Sequence, residues 1–186
     1  MLVSPERMEC LRTAELVLEP LTVAHAEAMF PVLSEPALYR YLDYGPPPSV
    51  EHVRGVYAKL EKRASPEGSE TWLNWIVCLR SSCAPIGFVQ ATLVVQSTCW
   101  VAYLLSGAHW GRGYARAATG AMLLHLTERY GATEFLATVE GANARSISLL
   151  ERLAFERATL EEVAPHGLSS TELLFKRRAA PRANAP

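Results

Sequence analysis

The sequence predicts an α/β (α+β) domain built on a mixed sheet with helices on both faces. Three observations carry this. The elements run strand, helices, three strands joined by short connections, then helix, strand, helix, strand. A doubly wound sheet needs repeated crossovers, and this order is not an alternating βαβα chain. The chain has 186 residues, 49% hydrophobic and 20% charged, which allows one domain with a sizeable core.

The elements follow in order. Leu16-Val17-Leu18 reads as a first strand that Pro20 ends. Thr22 is placed to cap a helix over residues 23–33, and residues 36–42 allow one further turn. Gly45-Pro46-Pro47-Pro48 is a stiff loop, because proline fixes φ and forbids helix. Ser49 caps a helix over residues 50–64, and residues 65–69 form a loop. Residues 72–79, 85–95 and 98–105 read as three strands, with 81–84 and 96–97 as hairpin connections. Residues 117–130 carry a long helical pattern. Residues 134–139 (EFLATV) are rich in β-branched and aromatic side chains and read as a strand, broken by Gly141-Ala142-Asn143. Asn143 is a good N-cap for a helix over residues 144–154, with Ser146 at its third position and Ile147, Leu150 and Leu153 at helical spacing. Phe155 closes that helix against a core, and residues 170–175 read as the last strand. The end, from Lys176, is basic and Pro/Ala-rich. The single domain is placed at residues 1–178, with 179–186 expected as a frayed basic tail.

Bulk properties exclude some functions. A net charge of −1 does not indicate a general nucleic-acid surface. No apolar run approaches the roughly 20 residues that span a bilayer. Glu6, Arg7, Glu9 and Arg12 interrupt any apolar signal core. A cytoplasmic monomer or homodimer is expected. Cys10, Cys78, Cys83 and Cys99 contain no Cys-x-x-Cys pair and read as buried or partly buried free thiols. His25, His52, His109, His125 and His166 show no metal spacing, so no metal is expected. His125 falls on an apolar helix face and reads as packed, whereas His109 stands near a loop as a ligand candidate.

That loop lies in residues 101–116 (VAYLLSGAHWGRGYAR), an apolar strand that turns through glycines into a helix. Gly111 and Gly113 can take positive φ and admit a ligand close to the backbone. Ala115 leaves the first turn open, and Arg112 and Arg116 add charge to the positive end of the helix dipole. The combination suits a phosphate or pyrophosphate. Glycine is equally common in a plain strand–turn–helix corner. The Gly-Lys-Ser/Thr of the nucleotide P-loop is absent. For the dinucleotide fingerprint, Gly111 and Gly113 fit and Glu134 lies at a suitable distance, but Arg116 stands where the third glycine belongs. The third reading is an acyl-CoA pyrophosphate loop.

Trp110-Gly111-Arg112-Gly113-Tyr114-Ala115, followed by Asn143-Ala144-Arg145-Ser146 and Leu150-Glu151-Arg152-Leu153-Ala154-Phe155, resembles the GNAT superfamily of N-acetyltransferases. Residues 11–22 (LRTAELVLEPLT) and 85–89 (PIGFV) resemble strands of its RimJ/RimL ribosomal-protein acetyltransferase subgroup. The resemblance runs from Leu11 to Lys176. It implies a mostly antiparallel central sheet flanked by helices on both faces. It implies an acetyl-CoA-dependent N-acetyltransferase that moves an acetyl group to a primary amine, on a peptide N-terminus or a small molecule, by direct attack on the thioester. It further implies that Arg112, Gly113, Tyr114, Ala115 and Arg116 hold the pyrophosphate and that Leu104 and Leu105 pair their backbone with the pantetheine arm. Asn143 would hold that arm, and Ser146 would serve the leaving sulfur, making these two the candidate catalytic residues. A hydroxyl in a helix's first turn is also often just a cap.

The chain departs from the family pattern at several positions. Many members have Gln or Arg where Trp110 stands, though the subgroup often has Trp; many in the subgroup have Glu where Ala117 stands and an acid where Trp100 stands, and Leu153-Ala154-Phe155 replaces a more usual Leu-Gly-Phe. The missing acids leave the general base open. Glu140 can activate a water or be a solvated strand-end carboxylate. Asp43 and Tyr44 either face the acceptor or serve a turn. Trp72, Trp75 and Trp100 either line an acceptor cleft or fill the core, and Trp110 can pack under the loop. A non-catalytic acyl-CoA-binding module is the alternative from a different class, and a dinucleotide-binding protein is a further one.

Overall fold

The computed structural model describes residues 8–94 and 97–179. Alternating burial sets the first strands: β2 (Leu16–Pro20) buries Leu16 and Leu18 and leaves Val17 and Glu19 half-buried. The short β1 (Leu11–Arg12) pairs with its outer edge. β3 (Thr71–Leu79) is buried on both faces from Leu73 to Cys78, as a central strand covered from two sides must be. β4 (Pro85–Leu93) and β5 (Thr98–Leu105) continue the antiparallel ladder. The rest of the chain adds β6 (Glu134–Glu140), β7 (Glu156–Arg157) and β8 (Glu172–Arg178). Among the described residues the sheet has eight strands in the order β1-β2-β3-β4-β5-β6-β8-β7, and only β5 and β6 run parallel. One parallel pair is far from the repeated crossovers a dinucleotide fold needs.

Helices cover both faces. On one, α1 (Ala26–Leu33) and α2 (Val50–Leu60) bury Met29, Leu33, Val53 and Tyr57 against Ile76 and Cys78. On the other, α3 (Tyr114–Tyr130) packs Ala118, Met122, Leu123 and Leu126 over Leu16, Leu18, Leu73 and Trp75. α4 (Ala144–Arg152) follows β6 and joins this second core through Leu150. The short α5 (Leu160–Val163) precedes β8. Among the described residues, no helix is long and apolar enough to cross a membrane.

The parallel pair positions the site. β5 and β6 pair only through Thr98↔Glu134, Cys99↔Phe135 and Trp100↔Leu136. Beyond Trp100 the strands separate, and the end of β5 turns an edge toward a hollow instead of a neighbour.

Several boundaries differ from the sequence expectation. α3 begins at Tyr114, not 117, because Gly113 takes φ 81° and turns the loop directly into the helix. α2 stops at Leu60, not 64: Arg63 has φ 59°, and its carbonyl accepts from Trp72 N at 2.9 Å, steering the chain into β3. Residues 23–25 form a tight 3-10 turn ahead of α1. The last strand runs to Arg178, so Lys176 to Arg178 pair with β6, and Ala179 N donates to Thr133 O at 2.8 Å. The remainder of the expected tail, 180–186, lies outside the described residues, as do Val95 and Gln96 at the expected end of β4 and its hairpin.

Candidate active site

The loop after β5 is fixed from both ends. Ser106 N donates to Ile86 O at 2.8 Å, and the Trp110 indole N–H donates to Leu105 O at 2.7 Å, so the tryptophan packs under the loop. Glu35 reaches across from the turn after α1. It accepts from Gly107 N at 2.8 Å and from the Ser106 hydroxyl. Gly111 and Gly113 take φ 75° and 81°, and the space where a side chain would stand is open. α3 has no side-chain cap, and its first internal bond is Ala117 N to Gly113 O at 3.0 Å. The N–H groups of residues 114–116 therefore lack intrahelical partners and carry the positive end of the dipole. Arg112 and Arg116 are exposed beside them.

Across the hollow stands the start of α4. Asn143 Oδ1 accepts from Ser146 N at 3.2 Å, so Asn143 is the helix cap. The Ser146 hydroxyl does no capping. It lies 2.6 Å from the Tyr103 hydroxyl, which also donates to the Ser146 carbonyl at 3.2 Å. Burial pushes the Tyr103 phenol up to about 12, against a smaller opposing effect of the Ser146 bond, so it remains a protonated donor at neutral pH.

Between these two walls lies a cavity of about 570 Å³, within the usual size of a small-molecule site. It brings together Leu104, Leu105, Ala115, Asn143 and Ser146. Arg112, Gly113, Tyr114 and Arg116 do not line it; they stand next to Ala115 at the mouth formed by the loop and the α3 N-terminus. The wall also holds residues the sequence reading did not single out: Tyr103, Arg40 and Arg145. The Arg145 guanidinium sits 3.7 Å from the Trp110 ring centroid, a cation–π contact that ties α4 to the loop. Arg145 had a local signal, its place inside the Asn143–Ser146 segment. Arg40 had none, because only the tertiary fold brings its turn to this wall.

A second pocket of about 360 Å³ opens toward α1 and α2, with Leu104 lining both hollows. Its lining includes Val53, Phe88, Asn74 and Tyr57. The Tyr57 hydroxyl is buried without a hydrogen-bond partner, and burial raises its pKa. Tyr39 donates to Leu33 O at 2.6 Å, and its ring meets Tyr44 edge-on. Tyr44 lines this pocket; Asp43 does not.

Other expected positions are placed elsewhere. Trp72, Trp75 and Trp100 line neither cavity: Trp72 bonds Glu70, Trp75 is core and donates to Glu9 O, and Trp100 packs on His166. Glu140 accepts from the Thr171 hydroxyl at 3.2 Å, and it too lines neither cavity. His109 has a buried Nδ1 with no hydrogen-bond partner, and its ring lies 6.2 Å from that of Tyr114. His125 is packed between Trp75 and Tyr130, and burial lowers its pKa. All four cysteines are free. Cys78 and Cys99 are buried and their thiols pushed up to about 11 and about 12 by burial, but Cys10 and Cys83 are exposed, contrary to expectation. Among the described residues, no group of His, Cys, Asp or Glu is arranged to hold a metal ion.

Comparison with known proteins gives consistent matches. The acetyltransferase (GNAT) domain matches residues 15–156. An uncharacterized N-acetyltransferase, p20, of Bacillus licheniformis is 26% identical over 155 residues, covering 82% of this chain and 85% of that protein. Among solved structures, the RimL ribosomal L7/L12 α-N-protein acetyltransferase in complex with coenzyme A superposes with a TM-score of 0.75 at 16% identity, covering 91% of this chain and 98% of that one. A GNAT-family acetyltransferase from Bacillus anthracis gives 0.73 at 17% identity, with 91% and 98% covered. At such identities the structural matches speak to the fold.

Proposed function

The chain belongs to the GNAT family of acetyltransferases, and we propose that it transfers the acetyl group of acetyl-CoA to a primary amine, on a peptide N-terminus or a small molecule, by direct attack of the amine on the thioester carbonyl. The observation that carries this reading is the hollow between the separated ends of β5 and β6. One wall offers the backbone of Leu104 and Leu105, the other offers Asn143 and Ser146, and the α3 N-terminus stands at the mouth. The RimL protein of the same fold was solved with coenzyme A, which supports a like cofactor here.

The residues present fit that co-substrate. Arg112 and Arg116, with the backbone of Gly113, Tyr114 and Ala115, supply donors and positive charge for a pyrophosphate. The Leu104–Leu105 segment forms the strand edge beside the hollow, where its backbone can pair with an amide of the pantetheine arm, the Leu105 carbonyl already accepting from the Trp110 indole. The Asn143 cap uses its carbonyl oxygen, which leaves the amide N–H₂ to bond the same arm. The bound thioester supplies the acyl carbon. In the transfer, a nitrogen–carbon bond forms at that carbon, the carbon–sulfur bond breaks, and the amine loses one proton while the sulfur gains one. On this reading Ser146 would hand a proton to the departing sulfur, and the Tyr103 hydroxyl, 2.6 Å from the Ser146 hydroxyl, would orient and replenish it.

Calorimetry tests the reading: micromolar acetyl-CoA binding without added metal is expected. Thiol release from acetyl-CoA, measured across peptide N-termini, polyamines and antibiotics, should depend on an acceptor. No acetyl-CoA binding alongside NAD binding refutes the reading, and binding with no acceptor-dependent release leaves a non-catalytic acyl-CoA module instead.

A further inference from the structure

We infer that the pocket between α1, α2 and the middle of the sheet receives the acceptor, and that it selects primary amines with an apolar, uncharged body over polycationic amines. The inference rests on the transferase reading and adds the chemical class of the acceptor. Four observations lead there. Leu104 lines both this pocket and the hollow beside β6, so a molecule seated here lies against the strand assigned to the thioester. The walls are hydrocarbon, with Leu21, Leu33, Val53, Val56 and Phe88 among them. Among the described residues no Asp, Glu, Lys or Arg lines the pocket, whose polar groups are phenols, the Asn74 and Gln90 amides and one imidazole, His52. The Tyr57 hydroxyl, in a residue only 4% exposed, has no hydrogen-bond partner.

Each observation constrains the ligand. A polyamine or aminoglycoside brings several ammonium groups, and removing them from water with no carboxylate to meet them is costly. An apolar amine brings one, and the same desolvation favours its neutral form, which is the nucleophile. The pocket thus helps to deprotonate the amine without a lining carboxylate, consistent with the lack of acids at Ala117 and Trp100. A buried phenol without a partner is a donor waiting for an acceptor atom. The carbonyl next to a peptide's N-terminal amine is such an atom.

The test compares leucyl-alanine amide, phenylethylamine and spermidine. Two readouts are taken: kcat/KM by thiol release, and equilibrium binding by calorimetry without acetyl-CoA. The apolar amines should exceed spermidine at least tenfold in both. Val56 is 38% exposed on the rim, so Val56→Glu should fold and should shrink or invert that ratio by adding a carboxylate. Tyr57→Phe should lower kcat/KM for the dipeptide amide and spare phenylethylamine, which has no carbonyl. A dipeptide preference that Tyr57→Phe abolishes identifies an N-terminus as the source of the amine; equal use of phenylethylamine identifies a free arylalkylamine. A preference for spermidine in the unmodified protein, or a ratio unmoved by Val56→Glu, overturns the inference. Acetyl-CoA titration of the same samples separates the two levels. If acetyl-CoA fails to bind, the transferase reading falls. If it binds but no apolar amine binds or reacts, only the pocket assignment falls.

Discussion

The contact between Tyr103 and Ser146 gives a prediction that distinguishes chemistry from packing. Ser146→Ala removes the proposed proton donor, and Tyr103→Phe removes only the group that holds it at 2.6 Å. A positioned proton donor contributes about a hundredfold or more, so Ser146→Ala should lower kcat by that order with acetyl-CoA affinity unchanged. Tyr103→Phe deletes the contacts to both the Ser146 hydroxyl and the Ser146 carbonyl, of which only the first bears on the proton donor; that neutral hydrogen bond is worth about 0.5–1.5 kcal/mol, which converts to a loss of about 2- to 13-fold in kcat. Stability should barely move in Ser146→Ala. The α4 cap comes from Asn143 Oδ1, and the Tyr103 hydroxyl keeps the Ser146 carbonyl as acceptor, so the melting temperature should stay within about 2 °C. The assay is steady-state thiol release, with calorimetry for binding, on the two single variants and the double. If Tyr103 acts only through Ser146, the double variant is no slower than Ser146→Ala. Multiplying losses would mean that Tyr103 serves the reaction independently. Full kcat in Ser146→Ala would refute the proton-donor role outright.

Arg112→Ala or Arg116→Ala should weaken acetyl-CoA binding by about 1–3 kcal/mol in calorimetry and leave a pantetheine fragment unaffected, because both side chains are exposed at the proposed phosphate end. Asn143→Asp keeps the oxygen that caps α4 and loses the amide donor, so it should raise the KM for acetyl-CoA while melting normally; Asn143→Ala should in addition cost about 1 kcal/mol of stability in urea unfolding. Ala154 is exposed at φ 59° in the turn that ends α4, with Phe155 N bonded to Leu150 O at 3.0 Å, so Ala154→Gly should relieve backbone strain and stabilise by about 0.5–1 kcal/mol. Burial lowers the His125 pKa below the unfolded value of about 6.5, so the unfolded chain binds the extra proton first. Stability should then rise with pH up to about 6.5 and fall below it, and His125→Gln should flatten that slope in melts between pH 5 and pH 7.5.

What was legible in the sequence was local. The hairpin strands β3, β4 and β5 showed in their apolar runs, the left-handed turns in Gly111 and Gly113, and the α4 cap in Asn143. What escaped was set by contacts between distant segments. Nothing near Ser146 announces a tyrosine 43 residues earlier, and nothing near Ser106 announces Glu35 71 residues earlier. The choice between cleft and core for the tryptophans was open in the sequence, and it turns on β3 being covered on both faces, so Trp75 packs under α3 whereas Asn74 lines the pocket beside α2. The short last strand came from reading Lys176 to Arg178 as tail, although basic residues can pair within a sheet, as these three do with Leu136, Phe135 and Glu134.

The separation of β5 from β6 ties these pieces together. A buried strand edge with unpaired N–H and C=O groups is costly, and native sheets normally cover or complete it. Here the edge is kept, and both its neighbours are arranged around it. On one side, β4 approaches β5 so closely at Gly87 that an added Cβ would lie 2.1 Å from the Leu104 carbonyl oxygen, at a φ of 154°. Glycine at that position lets β4 hold β5 where β6 has left it. On the other side, α4 begins with Asn143 and Ser146 facing the gap, and the Arg145–Trp110 stack holds α4 against the loop. In the transferase reading, an arm carrying amide groups completes the sheet edge at Leu104 and Leu105. On that proposal the reacting carbonyl would lie beside Leu104, the residue that both hollows share.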